Sequence, residues 1–230
     1  MAKFCIHCGK ALKEGEVCTC QGNVQVQSGN VGSDLSEILK GMFTKPVSTL
    51  RTFTKDSSFS IALILLGVFC AAISLFLLSF VKNAADATVS SMGGISLYTV
   101  GTVNVQIPYL KIFFICLVVG IISVFIYTGL LYLVNSIMFK GDRSFKKVFS
   151  MYGVASVINT AALIVSAIFM FIHPALGVVV FLLGSVLNTL YVFKGIEMLG
   201  VKDENKHGYI YLITTVFYAL VLVLISVMFS

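Results

Sequence analysis

The sequence predicts an all-α polytopic membrane protein with five transmembrane helices, preceded by a small cysteine-rich segment. Hydrophobic residues make up 58% of the 230 residues and charged residues only 11%, whereas charged residues form about 25% of a typical soluble domain. Five stretches are also long enough to cross a bilayer, since a transmembrane helix needs about 20 predominantly apolar residues. These two observations exclude a water-soluble globular fold.

The five predicted spans contain no Asp, Glu, Lys, Arg or His. They cover residues 59–81, 112–139, 153–172, 175–193 and 209–229. The second would be roughly 40 Å long, so it must tilt or extend beyond a hydrocarbon core of about 30 Å. Only His173 and Pro174 separate the third from the fourth, and one helix over both would be roughly 60 Å long. A tight helical hairpin is therefore predicted, with Pro174 ending the third helix or lying in the first turn of the fourth.

Three regions precede the spans. Residues 1–21 contain four of the six cysteines, residues 22–33 are Gly-rich and nearly uncharged, and residues 34–55 are amphipathic. The second region has the composition of a flexible linker. The third opens with Asp34 and Glu37 in the form of a capping box, with apolar residues following at helical spacing and Pro46 starting a second helical turn. This region is either an in-plane interfacial helix or a helix packed on the cytosolic ends of the bundle. Residues 56–230 are the five-helix transmembrane domain.

Basic residues set the orientation, because short cytoplasmic loops carry the excess of Lys and Arg. All but two of the 16 basic residues precede the first span or follow the second and fourth. Lys82 and Lys111 flank the remaining loop, residues 82–111, where alternating apolar residues predict a short strand or extended cap. The prediction is an integral, multi-pass protein of a bacterial plasma membrane, with the N-terminus cytosolic and the C-terminus outside. The net charge of +6 then comes mostly from the basic residues that set the orientation in the membrane. No nucleic-acid partner is expected.

The cysteine segment carries the clearest chemical signal. Cys5 and Cys8 form a C-x2-C pair followed by Gly9, and Cys18 and Cys20 form a C-x-C pair nine residues later. Thiols in a reducing compartment favour metal binding over disulfides. Four thiolates on two short turns match the needs of a tetrahedral zinc site, and so few apolar residues would fold only with the metal bound.

The first half of this segment resembles the zinc-ribbon family. Cys5 to Gly9 match its knuckle, whereas Cys18 and Cys20 are separated by one residue instead of two, and His7 offers a spare ligand. The expectation is one structural Zn²⁺ in a zinc-ribbon-like knob; the alternative is an unstructured tail with exposed thiols. The ligands of this zinc are predicted to be Cys5, Cys8, Cys18 and Cys20. Cys70 and Cys116, each alone in an apolar span, are expected to act as small hydrophobic residues.

Three amides lie within the predicted spans. Asn135, Asn159 and Asn188 are interpreted as intramembrane polar packing residues, because interhelical hydrogen bonds of this kind contribute about 0.6 kcal/mol on average. Pairs of small residues at four-residue spacing, Gly67 with Ala71 and Ala162 with Ser166, predict close helix contacts. The alternative is that the amides line a path for a polar substrate.

No catalytic arrangement is present, so no enzyme is predicted. The sequence lacks an H-E-x-x-H motif, a phosphate-binding Gly loop and paired carboxylates at membrane depth. Asp, Glu, Lys and Arg are also missing from the predicted spans, which argues against an ion-coupled transporter. His173 and His207 are expected on opposite sides of the membrane, where they could not act together.

From about residue 41 to 227 the chain resembles the Yip (Ypt-interacting protein) family of five-pass membrane proteins, in its prokaryotic branch. The resemblance rests on Phe43 to Pro46, on residues 140–149 (KGDRSFKKVF) and on Tyr152-Gly153. It implies a membrane-organising or protein-recruiting role. The Asp-Leu-Tyr-Gly-Pro signature of eukaryotic members is missing, so their small-GTPase binding is not carried over.

These inferences predict a non-enzymatic membrane protein whose cytosolic zinc segment recruits a protein partner or organises membrane. Its expected partners are the lipid bilayer and an unidentified cytosolic protein, with an oligomer of the chain as an open alternative. The alternative function is a transporter or channel for a small neutral solute or lipid, lined by the three asparagines.

Overall fold

A computed structural model of the chain describes residues 3–4, 11–12, 31–56, 58–92 and 108–228. Two short strands and seven α-helices occur in these ranges. The strands are β1 (Lys3–Phe4) and β2 (Ala11–Leu12). The helices are α1 (Val31–Thr44), α2 (Pro46–Asp56), α3 (Phe59–Met92), α4 (Tyr109–Leu133), α5 (Phe145–Ile172), α6 (Pro174–Ile196) and α7 (Glu204–Met228). A π-helical turn, Val134–Met138, continues α4.

Five of the helices are long and apolar enough to cross a membrane, which confirms the predicted number and order of spans. They are α3, α4 with its π-helical turn, α5, α6 and α7. The helices extend beyond most of the predicted ends. At the start of α5 the difference is eight residues, because Ser144 caps the helix by accepting a hydrogen bond from the Lys147 N–H. The first two turns of α5 therefore project from the apolar span.

The prediction of a loop from residue 82 was wrong as far as residue 92, because α3 continues to Met92. Residues 82–92 contain three alanines and neither Gly nor Pro, so nothing in them interrupts a helix. The start of α4 at Tyr109 likewise makes the end of the predicted loop helical. The strand predicted around Val103 to Ile107 lies outside the described residues.

The hairpin between α5 and α6 agrees with the prediction. His173 is extended (φ −157°, ψ 123°) and separates the two helices, with Pro174 as the first residue of α6. The His173 Nδ1 accepts a hydrogen bond from the Ala175 N–H at 3.3 Å. Proline at the first helical position loses no intrahelical hydrogen bond, because the first N–H groups of a helix have no partner within it.

Helices α1 and α2 form a second hairpin, which packs on the ends of α5, α6 and α3. Ile38, Met42 and Leu50 are at most 1% exposed, so the hairpin is docked on the bundle. Of the two alternatives left open by the sequence, the structure shows packing on the helix ends, while Leu39, Phe43 and Val47 of the same hairpin stay exposed. Helix α1 begins at Val31, so three residues of the predicted linker are helical and Asp34 lies in the first turn instead of at the N-cap. A carboxylate in that turn is favourable because it faces the positive end of the helix dipole.

Helix α5 is the centre of the bundle and has its largest interfaces with α6 and α3. Helix α4 packs on α3 and α7, and α7 also touches α6. The other spans are thus arranged around α5, each with one side toward the bundle and one side toward its outside. We call the end that carries α1, α2, the α4–α5 loop and the α6–α7 turn the N-terminal end. Among the described basic residues, only Lys82 and Lys111 lie at the opposite end.

Candidate functional site

The predicted zinc site lies outside the described residues. Its four ligands and the spare ligand are Cys5, Cys8, Cys18, Cys20 and His7. The structure describes the strands that flank the first cysteine pair in the sequence. Strands β1 and β2 pair antiparallel, with Lys3 opposite Leu12 and Phe4 opposite Ala11. Within residues 31–56, 58–92 and 108–228, no group of three or more His, Cys, Asp or Glu side chains could share a metal ion.

The two cysteines of the bundle, Cys70 and Cys116, do not belong to a group of side chains that could bind a metal among the described residues. Cys70 is 1% exposed on α3, and a Cβ placed on Gly120 of α4 would lie 3.6 Å from its Cβ. Cys116 is half-buried, and both thiols are free. Cys70 therefore serves as a small packing residue where α3 and α4 approach each other.

Asn135 lies at the N-terminal end of the bundle, in the π-helical turn that ends α4. Its Nδ2 donates to the Asp142 carbonyl at 3.2 Å, and the Ser136 hydroxyl donates to the same oxygen at 3.0 Å. Gly141 packs against the amide, since a Cβ there would lie 2.5 Å from Asn135 Oδ1. Asn135 thus fastens the α4–α5 loop to the end of α4.

The other two asparagines lie deeper, on α5 and α6. A Cβ on Gly184 of α6 would lie 3.1 Å from Asn159 Oδ1 and closer still to Ala162 Cβ, so Asn159 faces α6 where the helices are closest. Asn188 lies one turn beyond Gly184, on the same side of α6. The Oδ1 atoms of Asn159 and Asn188 are buried and have no hydrogen-bond partner among the described residues. None of the three asparagines lines the cavities of about 400 and 480 Å³ at the two ends of the bundle.

One of the predicted small-residue contacts occurs and the other does not. Ala162 of α5 packs against Gly184 of α6, and the Ser166 hydroxyl donates to the Gly177 carbonyl at 2.5 Å. We call this contact between the two helices the α5–α6 seam. Gly67, by contrast, is exposed and has no atom within 4 Å of its Cβ position. The prediction that Gly67 and Ala71 mark a close contact was therefore wrong for Gly67, because a small residue in a membrane helix also occurs where no second helix approaches.

Residues 140–149, which carry part of the family resemblance, are bonded to the α6–α7 turn at the N-terminal end. The Asp142 N–H donates to the Leu199 carbonyl at 2.7 Å, which joins the α4–α5 loop to the α6–α7 turn. The Asp142 carboxylate pairs with Lys147 Nζ at 2.5 Å. Beyond the turn, the buried His207 hydrogen-bonds the Val201 carbonyl through Nε2 at 2.9 Å. His173, at the tip of the α5–α6 hairpin, lies at the opposite end, as predicted.

A cluster of tyrosines joins α4, α5 and α7 inside the bundle. The Tyr127 ring lies 5.0 Å from that of Tyr152 and 5.3 Å from that of Tyr218. The hydroxyls of Tyr218 and Ser123 are hydrogen-bonded to each other. Sequence reasoning missed this cluster because it treated tyrosine within a span as an apolar residue and placed Tyr152 just before the third predicted span.

A basic cavity at the N-terminal end was also missed. It has a volume of about 400 Å³, and the described residues that line it are four cations and one carboxylate, together with Thr54, Val47 and Met198. The charged lining residues are Arg51, Lys55, Lys147, Lys194 and Glu197. The one local signal was the i, i+4 spacing of Arg51 and Lys55, which places both on one side of α2.

Comparison with known proteins assigns a family to most of the chain. Residues 40–228 match the profile described as the Yip1 domain. Neither a curated protein nor a solved structure shows significant similarity to the chain. The matched range contains α2 to α7 in full and does not include the cysteine segment.

Proposed function

The chain belongs to the Yip1 domain family, and on that basis we propose that it is a non-enzymatic membrane protein that recruits a cytosolic protein partner through its N-terminal cysteine segment. The family assignment and the five apolar helices establish an integral multi-pass membrane protein. The recruiting role, the zinc ion and the bacterial plasma membrane are parts of the proposal.

The observation that carries the proposal is the docking of the α1–α2 hairpin. Ile38, Met42 and Leu50 are buried against the bundle, so the chain preceding Val31 starts from a fixed point at the N-terminal end. Residues 22–30 have the composition of a flexible tether, which would span roughly 17 Å on average. A knob on this tether would remain close to the membrane surface and within reach of soluble partners.

Zinc would give the knob its fold. The thiolates of Cys5, Cys8, Cys18 and Cys20 would complete a tetrahedral set, which is the donor chemistry of a closed structural zinc site. The antiparallel pairing of β1 with β2 supports this arrangement, because two paired strands flank the first C-x2-C pair. With four protein ligands no coordination position stays open, so the ion would support recognition without catalysis.

The cytosolic orientation of the N-terminal end is supported by charge. Lys140, Arg143 and Lys146 in the α4–α5 region lie at the same end as the basic residues of α1 and α2, whereas Lys82 and Lys111 lie at the other. Cytoplasmic loops carry such an excess. The cysteines would then be in a reducing compartment, where thiolates remain available for zinc.

A transporter or channel for a small neutral solute or lipid is the second candidate. It is favoured by the buried Oδ1 atoms of Asn159 and Asn188, which have no partner among the described residues. We rank it second because Asn135 fastens a loop and because none of the three asparagines lines either end cavity.

The proposal is tested by capturing partners of the full-length protein in native membranes, with photo-crosslinking and mass spectrometry. The Cys5→Ser/Cys8→Ser variant is expected to lose a defined set of cytosolic partners, because the knob cannot fold without its ligands. The matched control is Cys116→Ser, a cysteine change in the bundle, which should keep that set. A zinc chelator should release the same partners and added zinc should restore them.

An unchanged partner set in Cys5→Ser/Cys8→Ser would refute recruitment by the cysteine segment. Loss of the set in both variants would refute it as well, because the effect would then arise from the bundle.

A further inference from the structure

The basic cavity at the N-terminal end lies where three parts of the bundle meet. Arg51, Thr54 and Lys55 come from α2, Lys147 from the first turn of α5, and Lys194 from the last turn of α6. These last two residues belong to the ends of membrane-crossing helices. The cavity therefore opens at the level where a bilayer places its polar headgroups.

Its cations are only partly neutralised by the protein. Lys194 Nζ contacts both oxygens of Glu197 at 2.9 Å, and Lys147 Nζ pairs with Asp142 Oδ2 at 2.5 Å. Arg51 and Lys55 form no ion pair with any carboxylate among the described residues. Within the described part of the chain, two positive charges at the cavity therefore lack a counter-ion, so an anion there would be attracted.

Thr54 adds an independent sign of a ligand. Its side chain is 1% exposed and its hydroxyl has no hydrogen-bond partner among the described residues, although it lines the cavity. Other threonines of this hairpin bond the carbonyl four residues earlier, as Thr49 does to Lys45 and Thr52 to Ser48. A buried hydroxyl without a partner is costly, and a ligand oxygen in the cavity would offer it an acceptor once the Thr54 side chain turns toward the cavity.

We propose that this cavity binds the phosphate group of an anionic phospholipid. A guanidinium can hold two phosphate oxygens at once, a lysine adds a point charge, and a hydroxyl donates one further hydrogen bond. Arg51, Lys55 and Thr54 supply these three kinds of donor. The proposal does not rest on the zinc segment, since the described residues that line the cavity begin at Val47.

A lipid, as opposed to a soluble phosphate, is indicated by the apolar surface beside the cavity. Phe43 is 61% exposed, Leu39 41% and Val47 40%, all on the same hairpin. Val47 also lines the cavity. Exposed apolar residues next to basic ones are typical of a helix lying at the membrane interface, so acyl chains can cover these residues while the phosphate enters the cavity.

The test is native mass spectrometry of the full chain in a neutral detergent, with phosphatidylglycerol and phosphatidylcholine as competing probes. The wild type should retain one phosphatidylglycerol in preference to phosphatidylcholine. Arg51→Gln/Lys55→Gln should weaken this retention by about tenfold. The matched control is Arg143→Gln/Lys146→Gln, which removes the same charge from exposed positions of the same end and should retain the lipid.

Thr54→Val separates a ligand-binding role from a packing role. The substitution keeps the shape and removes the hydroxyl without a partner, so the melting temperature should stay the same or rise while lipid retention falls. Unchanged retention in Thr54→Val, or equal loss in the two double variants, would overturn the proposal. Displacement of phosphatidylglycerol by inorganic phosphate would also overturn it, because the ligand would then be a soluble anion.

Discussion

Helices α4 and α5 are both apolar membrane-crossing helices, yet their surroundings differ. In α5, 28 residues long, sixteen residues are buried. In α4, 25 residues long, only Val124, Thr128 and Leu131 are buried. The more apolar helix is thus the more exposed one. In a membrane this is expected, because lipid chains solvate apolar side chains as well as a protein interior does.

The composition of the two helices explains the difference. Helix α5 contains Ser150, Gly153, Ser156, Asn159 and Ser166, all of them buried. The outward positions of α4 are mostly Phe, Ile and Val. Small and polar residues allow backbones to approach and hydrogen bonds to form between helices. Between these two helices, burial therefore follows the small and polar residues. Hydropathy alone does not decide it, since α3 is the most apolar of the five spans and half of it is buried.

The largest change in stability is expected from a bulky side chain placed in the α5–α6 seam. Gly184→Leu is expected to lower the free energy of unfolding by about 3 kcal/mol, because its side chain would collide with Ala162 and Asn159. The control is Gly129→Leu in α4, where no atom lies within 4 Å of the Cβ position. Unfolding by denaturing detergent, followed by circular dichroism, measures both variants. Equal losses in the two would contradict the assignment of α5 as the packed helix.

A smaller effect is expected from one hydrogen bond of the seam. Ser166→Ala should lower the free energy of unfolding by about 1 kcal/mol, since interhelical hydrogen bonds in membranes average about 0.6 and reach about 1.7 kcal/mol. It removes the donor to the Gly177 carbonyl of α6. Ser185→Ala is the matched control, because that hydroxyl bonds the Phe181 carbonyl of its own helix and such bonds add no stability. A larger loss in Ser185→Ala than in Ser166→Ala would show that the seam is not held in this way.

The number and order of spans could be predicted from the sequence because the length of an apolar run reports directly on bilayer thickness. The helix ends could not, since they depend on local caps. Ser144 starts α5 and Asp203 accepts a hydrogen bond from the Asn205 N–H before α7. Both caps lie in polar loops that a search for apolar runs passes over. The end of α3 was missed for a different reason, since residues 82–92 stay helical after the apolar run has ended.

The candidate sites were likewise predictable from the sequence only in part. The three asparagines could be found from their positions within apolar spans, but the fastening role of Asn135 depends on the fold of a loop that brings Asp142 back to it. The basic cavity could not be predicted, because Arg51, Lys147 and Lys194 come from three helices that are distant in the chain. Convergence of this kind is visible only once the packing of α2 against α5 and α6 is known.

The cysteine segment differs from both helices in that its fold is expected to depend on a metal instead of on a membrane. The most direct test of its proposed role is the zinc content of the purified full-length protein, measured by elemental analysis against protein concentration. We predict one zinc ion per chain in the wild type, none in Cys5→Ser/Cys8→Ser and one in Cys116→Ser. A wild-type protein that remains without zinc after reconstitution with excess metal would contradict the proposal.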